Sequence, residues 1–310
     1  ILDAEGRITT ILVGTPDDSS WSSVIGRCEE VMTGVRDHSL KADVFSKDHQ
    51  QHRRGHFVAI PLGVSHGGGR EEPGNFYHPP KRAEILKPLL DDPAVGRLAG
   101  FQSSALSYYA PKLYANLCRH MVALHQKKQQ LRKNFRNSIF SGATFNLGPK
   151  TESFEHTDAN NVAYGLCALT SLGAFDPDKG GHLILYDLKL FVRFPRGATI
   201  LLLSSVLRHG NTPIASNETR MSLSQYCAGG IFQWLRYGCK TAVQLTASTK
   251  GRRFKKSVDK THEERVMESL SLFSTLDSLE ADRNIIISNW KKVRHFPPCV
   301  SQVYISGCRT

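Results

Sequence analysis

The sequence predicts an α+β fold, a double-stranded β-helix or jelly-roll core buttressed by helices. Two observations predict it. Between residues 139 and 232 the chain breaks into short apolar runs punctuated by turn residues, as antiparallel strands do. Before that stretch apolar residues recur at helical spacing, notably Leu106, Tyr109, Leu113, Leu117, Met121 and Leu124. No internal repeat or low-complexity linker divides the chain, so one domain is expected over 1–310. Within it, 1–138 holds N-terminal strands and supporting helices, 139–232 the jelly-roll core, and 233–310 a basic run and helical extension.

Taken in order, Ile8 to Val13 reads as a strand closed by Gly14. Asp17-Asp18-Ser19-Ser20 supplies capping side chains for a helix whose buried face carries Trp21, Val24, Ile25, Cys28, Val31, Met32 and Val35. Phe57 to Gly63 is a strand, and the glycine-rich stretch from Ser65 to Asn75 is a long, polar, mobile loop. Lys81 to Leu90 and Pro93 to Arg132 read as mainly helical and would pack outside the larger sheet. Gly180-Gly181 opens the run His182 to Tyr186, Phe191 to Phe194 follows, Pro195-Arg196-Gly197 turns, and Ala198 to Ser205 is almost wholly aliphatic. Met221 to Tyr226 alternates polar and apolar as a half-buried last strand before Gly229-Gly230. Lys250 to Lys256 is a basic run, and Thr261 to Asp282 reads as one amphipathic helix.

The predicted core carries His156-Thr157-Asp158, then His209, then Arg220-Met221-Ser222. Side chains alternate along a strand, so His156 and Asp158 would share a face while Thr157 points away. Two imidazoles and one carboxylate on one face of a metal make the facial triad of non-haem Fe(II) oxygenases, leaving positions for a chelating co-substrate and dioxygen. Arg220 is a bidentate carboxylate fork, suited to the far carboxylate of 2-oxoglutarate, and Ser222 adds a hydroxyl on the same face. Taken singly, each is ordinary: a His-x-Asp surface pair, an exposed arginine, a strand hydroxyl. Their order and spacing point to the metal chemistry.

Composition bounds the rest. A hydrophobic content of 40% is that of a globular chain, which sets disorder aside. The net charge of +12 favours a polyanionic partner. Seven cysteines without a Cys-x-x-Cys pair suggest a reducing compartment, and His295, Cys299 and Cys308 match no common zinc spacing. No run approaches about eighteen apolar residues, so no membrane span is expected. A chain that opens on Ile1 reads as a fragment, and any targeting segment at the true start would be out of view.

The stretches Ser141 to Leu147, His156 to Asn161, Leu207 to Asn211, Arg220, and Gln225 to Gly230 resemble the TET/JBP dioxygenases. More narrowly, they resemble the branch expanded in mushroom-forming fungi, over roughly residues 140–240. The resemblance implies that His156, Asp158 and His209 hold Fe(II), that Arg220 anchors 2-oxoglutarate, and that Asn146 and Ser222 assist. It also implies oxidation of the methyl group of 5-methylcytosine or 6-methyladenine in double-stranded DNA, in a nuclear enzyme; a monomer is expected. The Cys-rich block of animal relatives is missing, so their zinc scaffolding is not carried over.

A methyl on a paired base cannot reach a metal sunk in a barrel, so the nucleotide must be flipped out. Phosphate contacts are expected from Arg53, Arg54, Arg252, Arg253, Lys255 and Lys256, within the basic segments at 50–56 and 250–256; a third such segment lies at 127–136. Stacking and base-edge contacts are expected from His66, Arg70, Asn75, Phe76 and Tyr77. Two rivals use the same core: a 2-oxoglutarate-dependent protein hydroxylase, and a non-catalytic jelly-roll binding module, whose expected mark, a broken triad, is absent.

Overall fold

The computed structural model describes residues 1–292, with side chains through residue 288; His295, Cys299 and Cys308 lie outside the described residues. Ten strands are described: β1 (Thr10–Gly14), β2 (Ala59–Ser65), β3 (Gly74–Asn75), β4 (Gly142–Asn146), β5 (Cys167–Leu172), β6 (Leu183–Leu185), β7 (Leu190–Val192), β8 (Thr199–Leu202), β9 (His209–Asn211) and β10 (Met221–Tyr226). They form a seven-stranded sheet, ordered β1-β8-β5-β10-β4-β2-β3, and a three-stranded sheet, ordered β7-β6-β9. Every pairing is antiparallel. The large sheet thus recruits three strands from the first 138 residues beside those of 139–232. Between the sheets, Leu183, Leu185, Phe194, Ala198, Ile200 and Leu202 are buried together.

Helices α1 (Trp21–Lys41), α2 (Lys47–Gln50), α3 (Pro80–Leu86), α4 (Pro88–Asp91), α5 (Pro93–Tyr109) and α6 (Pro111–Lys127) precede β4. Helices α7 (Gly229–Arg236), α8 (Ala242–Thr246), α9 (Thr249–Val258), α10 (His262–Leu270) and α11 (Leu279–Lys292) follow β10. The alternation of β10 decides which face meets the helices. Leu223 and Gln225 turn toward α5, whose buried Gln102 donates to Thr170 Oγ1 (2.8 Å) and to the Leu223 carbonyl (3.0 Å). Gln225 Nε2 answers with bonds to Gln102 Oε1 (2.7 Å) and the Ala99 carbonyl (3.0 Å). This buried network, with every amide engaged, locks the helical layer to the middle of the sheet. Leu106, Leu113 and Leu124 are fully buried in that layer, each contributing about 1.5–3 kcal/mol. The opposite parity of β10, starting from Arg220, is left for the site.

Three details differ from the expectations. Helix α1 takes Ser20 as its first flanking residue without a side-chain cap; instead the Asp18 carboxylate accepts from Ser20 N (2.9 Å) and Ser20 Oγ (2.7 Å). The run from His182 ends at Leu185 in a tight helical turn over Tyr186–Leu188, closed by Lys189 at φ 53°. The single helix expected over Thr261–Asp282 is two, because Thr275 and Ser278 accept each other's backbone N–H (3.0 and 3.1 Å) and compete with helix continuation.

Candidate metal centre

His156, Asp158 and His209 converge, though not by the expected route. His156 and Asp158 do not lie on a strand. His156 makes a single antiparallel bridge to His209 on β9, its N–H donating to the His209 carbonyl (3.0 Å) and its carbonyl accepting from the His209 N–H (2.9 Å). Residues paired this way send their side chains to one side, so the two rings stand 4.3 Å apart between centroids. Asp158 swings in from a loop pinned by its own N–H to the Ser204 carbonyl (2.8 Å) and by Asn161 N–H to its carbonyl (2.9 Å). A bridge and a turn therefore do what strand alternation was expected to do.

The ligand atoms are already aimed. His156 Nε2 is 3.7 Å from Asp158 Oδ1, and His209 Nε2 is 3.9 Å from Asp158 Oδ2. One atom from each residue lies within 4.8 Å of the other two. Each Nδ1 is held by the carbonyl two residues back, His156 by Phe154 (2.8 Å) and His209 by Leu207 (2.9 Å). A carbonyl can only accept, so Nδ1 carries the hydrogen and the Nε2 lone pair faces Asp158. Burial, aided by the His209 ring, pushes His156 down to about 4, keeping it neutral and ready to ligate. This donor set suits Fe(II) with open positions.

Arg220, 2% exposed, stands in the same cleft with no carboxylate partner among the described residues. Its Nη1 donates to the Thr151 carbonyl (3.1 Å), its Nε is buried without a partner, and Phe175 lies 5.9 Å from its Cζ. Burial lowers its pKa to about 10, which leaves it a cation at neutral pH. An unpaired buried charge costs several kcal/mol, a cost that an anionic ligand would offset. Beside it Asn146 Nδ2 donates to Ser222 Oγ (2.8 Å), and Asn146 Oδ1 is buried without a partner. The cleft, about 520 Å³ with its mouth, therefore offers a metal triad at one place and an unmatched cation with spare polar groups at another. A dicarboxylate that chelates the metal through one end fits both.

A second chamber, about 750 Å³ with its mouth, shares Arg54, Asp158 and Ser224 with this cleft. Arg53, Phe76, Thr144, Asn161 and Tyr226 form further walls. Arg53 and Arg54 thus sit at the chamber, with Arg53 Nη2 donating to the Thr157 carbonyl (3.0 Å). Of the five residues expected to stack or read a base, Phe76 alone lines it. His66 is instead an anchor: its Nδ1 meets the Gly230 carbonyl (3.0 Å) and its Nε2 is buried, tying the long loop to α7. Arg70 reaches back toward the Asn75 carbonyl (3.4 Å), while Asn75 and Tyr77 line a separate cleft against α3 and α4.

The basic run forms α9 and lines neither cavity. Arg252 bonds Thr246 and Thr249, Lys255 pairs with Asp259 and lies over the Tyr237 ring, and Arg253 and Lys256 are exposed. Sequence reasoning missed Thr144, Ser224 and Tyr226. The signal was there: the alternation that selected Ser222 runs on to 224 and 226, and 144 sits beside 224 in the adjacent strand.

No protein-family model and no curated protein matches the chain. Among solved structures, NgTET1 in complex with 5mC DNA is 16% identical with a TM-score of 0.51, covering 74% of this chain and 75% of that one. A 2OG-Fe(II) oxygenase family oxidoreductase from Burkholderia pseudomallei is 17% identical with a TM-score of 0.35, covering 68% and 93%. A Pseudomonas putida prolyl-4-hydroxylase is 16% identical with a TM-score of 0.36, covering 71% and 91%. The chain shares its overall fold with the DNA-bound TET structure.

Proposed function

We propose that this chain is an Fe(II)- and 2-oxoglutarate-dependent dioxygenase with a double-stranded β-helix core, which oxidises the methyl group of a modified base in duplex DNA. One observation carries the reading: two imidazoles locked in the ligating tautomer, a carboxylate, and a buried arginine without a counter-charge among the described residues share one cleft. When bound, iron and 2-oxoglutarate activate dioxygen, the co-substrate leaving as succinate and carbon dioxide. The chain's own groups do the positioning. His156, Asp158 and His209 hold the metal, Arg220 pairs with the far carboxylate, and Ser222 with Asn146 supplies hydroxyl and amide groups beside it. Arg54 and Asp158 mark the seam at which the second chamber delivers a substrate to the metal.

Three things support DNA as the substrate: the fold shared with a DNA-bound TET structure, the net charge of +12, and a chamber walled in part by Phe76 and Tyr226 that shares Asp158 with the triad cleft. Under this reading the enzyme works in the nucleus, like the TET/JBP branch of mushroom-forming fungi that it resembles. The test is incubation with Fe(II), 2-oxoglutarate and duplexes bearing a single 5-methylcytosine or 6-methyladenine, followed by nucleoside mass spectrometry. Oxidised base in step with succinate supports the reading. Succinate formation that only a peptide substrate stimulates would replace DNA with a protein substrate.

A further inference from the structure

Three cross-strand rows run outward along the site face of β10, β4 and β2. Ser222 stands beside Asn146 and Ala59, Ser224 beside Thr144 and Pro61, and Tyr226 beside Gly142 and Gly63. The outermost row therefore carries one side chain, the Tyr226 phenol. Its two glycines are there for different reasons. Gly63 has φ 103°, and a Cβ on it would stand 2.4 Å from the Ser141 carbonyl, so the backbone itself requires glycine. Gly142 lies in an ordinary strand conformation that any residue adopts. What leaves no room for a side chain is the phenol: a Cβ at 142 would stand 2.9 Å from Tyr226 Cε2, 3.2 Å from Cζ and 3.4 Å from the hydroxyl. The ring lies across the bare backbone of β4, and Thr144 Oγ1 donates to its hydroxyl (3.2 Å).

We propose that Gly142 is a specificity-determining residue: by letting Tyr226 lie flat, it keeps the substrate chamber wide enough for a two-ring methylated base as well as a one-ring base. The proposal rests on the DNA-base reading above and deepens it. Strand β4 is bonded on both sides, to β10 and to β2, so it cannot retreat from an added side chain. The ring must then lift away from β4, and Tyr226 walls the chamber, so it lifts into substrate space. A two-ring base reaches further across that space than a one-ring base and meets the lifted ring first.

The experiment compares the intact chain with Gly142→Ala, Tyr226→Ala and the double variant on duplexes carrying one 6-methyladenine or one 5-methylcytosine. Gly142→Ala should lower kcat/KM for the purine relative to the pyrimidine by at least about tenfold, the lower end of what one misplaced methyl group costs a pocket. The effect should fall mainly on KM. In the Tyr226→Ala background the same substitution should leave the ratio unchanged, because no ring remains to be displaced. A general folding defect would lower both bases alike and persist in that background. Equal loss for both bases, or a ratio that shifts regardless of residue 226, overturns the proposal, as does exclusion of the purine by the unaltered chain. Anaerobic titration of the same duplexes onto Fe(II)- and 2-oxoglutarate-loaded protein reads the same ratio without turnover. A shifted binding ratio with neither base oxidised would leave the chamber assignment standing and remove base oxidation.

Discussion

Arg220 and helix α9 are two ways of carrying positive charge, and they differ in what surrounds them. Helix α9 is the densest basic segment of the chain, yet its cations are exposed or spoken for: Lys255 by Asp259, Arg252 by Thr246 and Thr249. Arg220 is a single residue, sealed from solvent, with one carbonyl partner for five donors and no carboxylate among the described residues. Exposed charge is solvated and screened, so its presence demands nothing. Buried charge without a partner demands a ligand. In this molecule, burial without compensation locates a site better than charge density does.

The largest effect that would break this contrast belongs to the triad. His156→Ala or Asp158→Ala should lower turnover by well over about a hundredfold, beyond the range for losing an outer-shell partner, and should reduce Fe(II) retention measured after desalting. Retained activity with unchanged iron content would remove these residues from the metal. Next comes Arg220. Its replacement by Lys should cost about 2–5 kcal/mol of 2-oxoglutarate binding, since a point charge cannot replace the fork in a dry cleft. Anaerobic calorimetry reads this directly, and an unchanged affinity would end the co-substrate role.

A smaller effect sharpens the electrostatic argument at His156. Its folded-state pKa of about 4 lies below the ordinary 6.5, so as pH falls the unfolded chain takes up the proton first. Metal-free protein should hold its full stability from this source above pH 6.5 and lose it between 6.5 and 4. Urea unfolding across that window should show a steeper decline for the parent than for His156→Gln; parallel curves would contradict the assignment. The smallest effects belong to the exposed cations. Neutralising Arg53 should flatten the salt dependence of duplex binding by about one phosphate's worth, a slope change near 0.9, and Arg253→Gln on α9 should leave it alone. Equal changes from both would extend the DNA surface to α9.

The same contrast explains what was legible in the sequence. Arg220, Ser222, Ser224 and Tyr226 follow from a period of two along one strand, a purely local rule. The triad was legible in its residue types and spacing, but the local geometry behind it was not. The His156–His209 bridge joins positions 53 apart, and no local periodicity encodes it. The bond of His66 to the Gly230 carbonyl was not legible either, because its partner is 164 residues away. The break between α10 and α11 turns on a reciprocal Thr275–Ser278 pair that an apolar stripe passes over. The seven-stranded sheet, which draws β1, β2 and β3 from the first 138 residues, likewise depends on pairings that only the folded chain makes.

The most direct test of the account is conversion of 2-oxoglutarate to succinate on duplex bearing one 5-methylcytosine or one 6-methyladenine, whose methyl group takes the second oxygen atom, compared among the parent, Asp158→Ala and the Arg253→Gln/Lys256→Gln pair on α9. The account predicts iron- and oxygen-dependent succinate from the parent, an equal amount from the α9 pair, and none above background from Asp158→Ala. Parent protein that retains Fe(II) yet yields no succinate, or Asp158→Ala that yields as much as the parent, would contradict it.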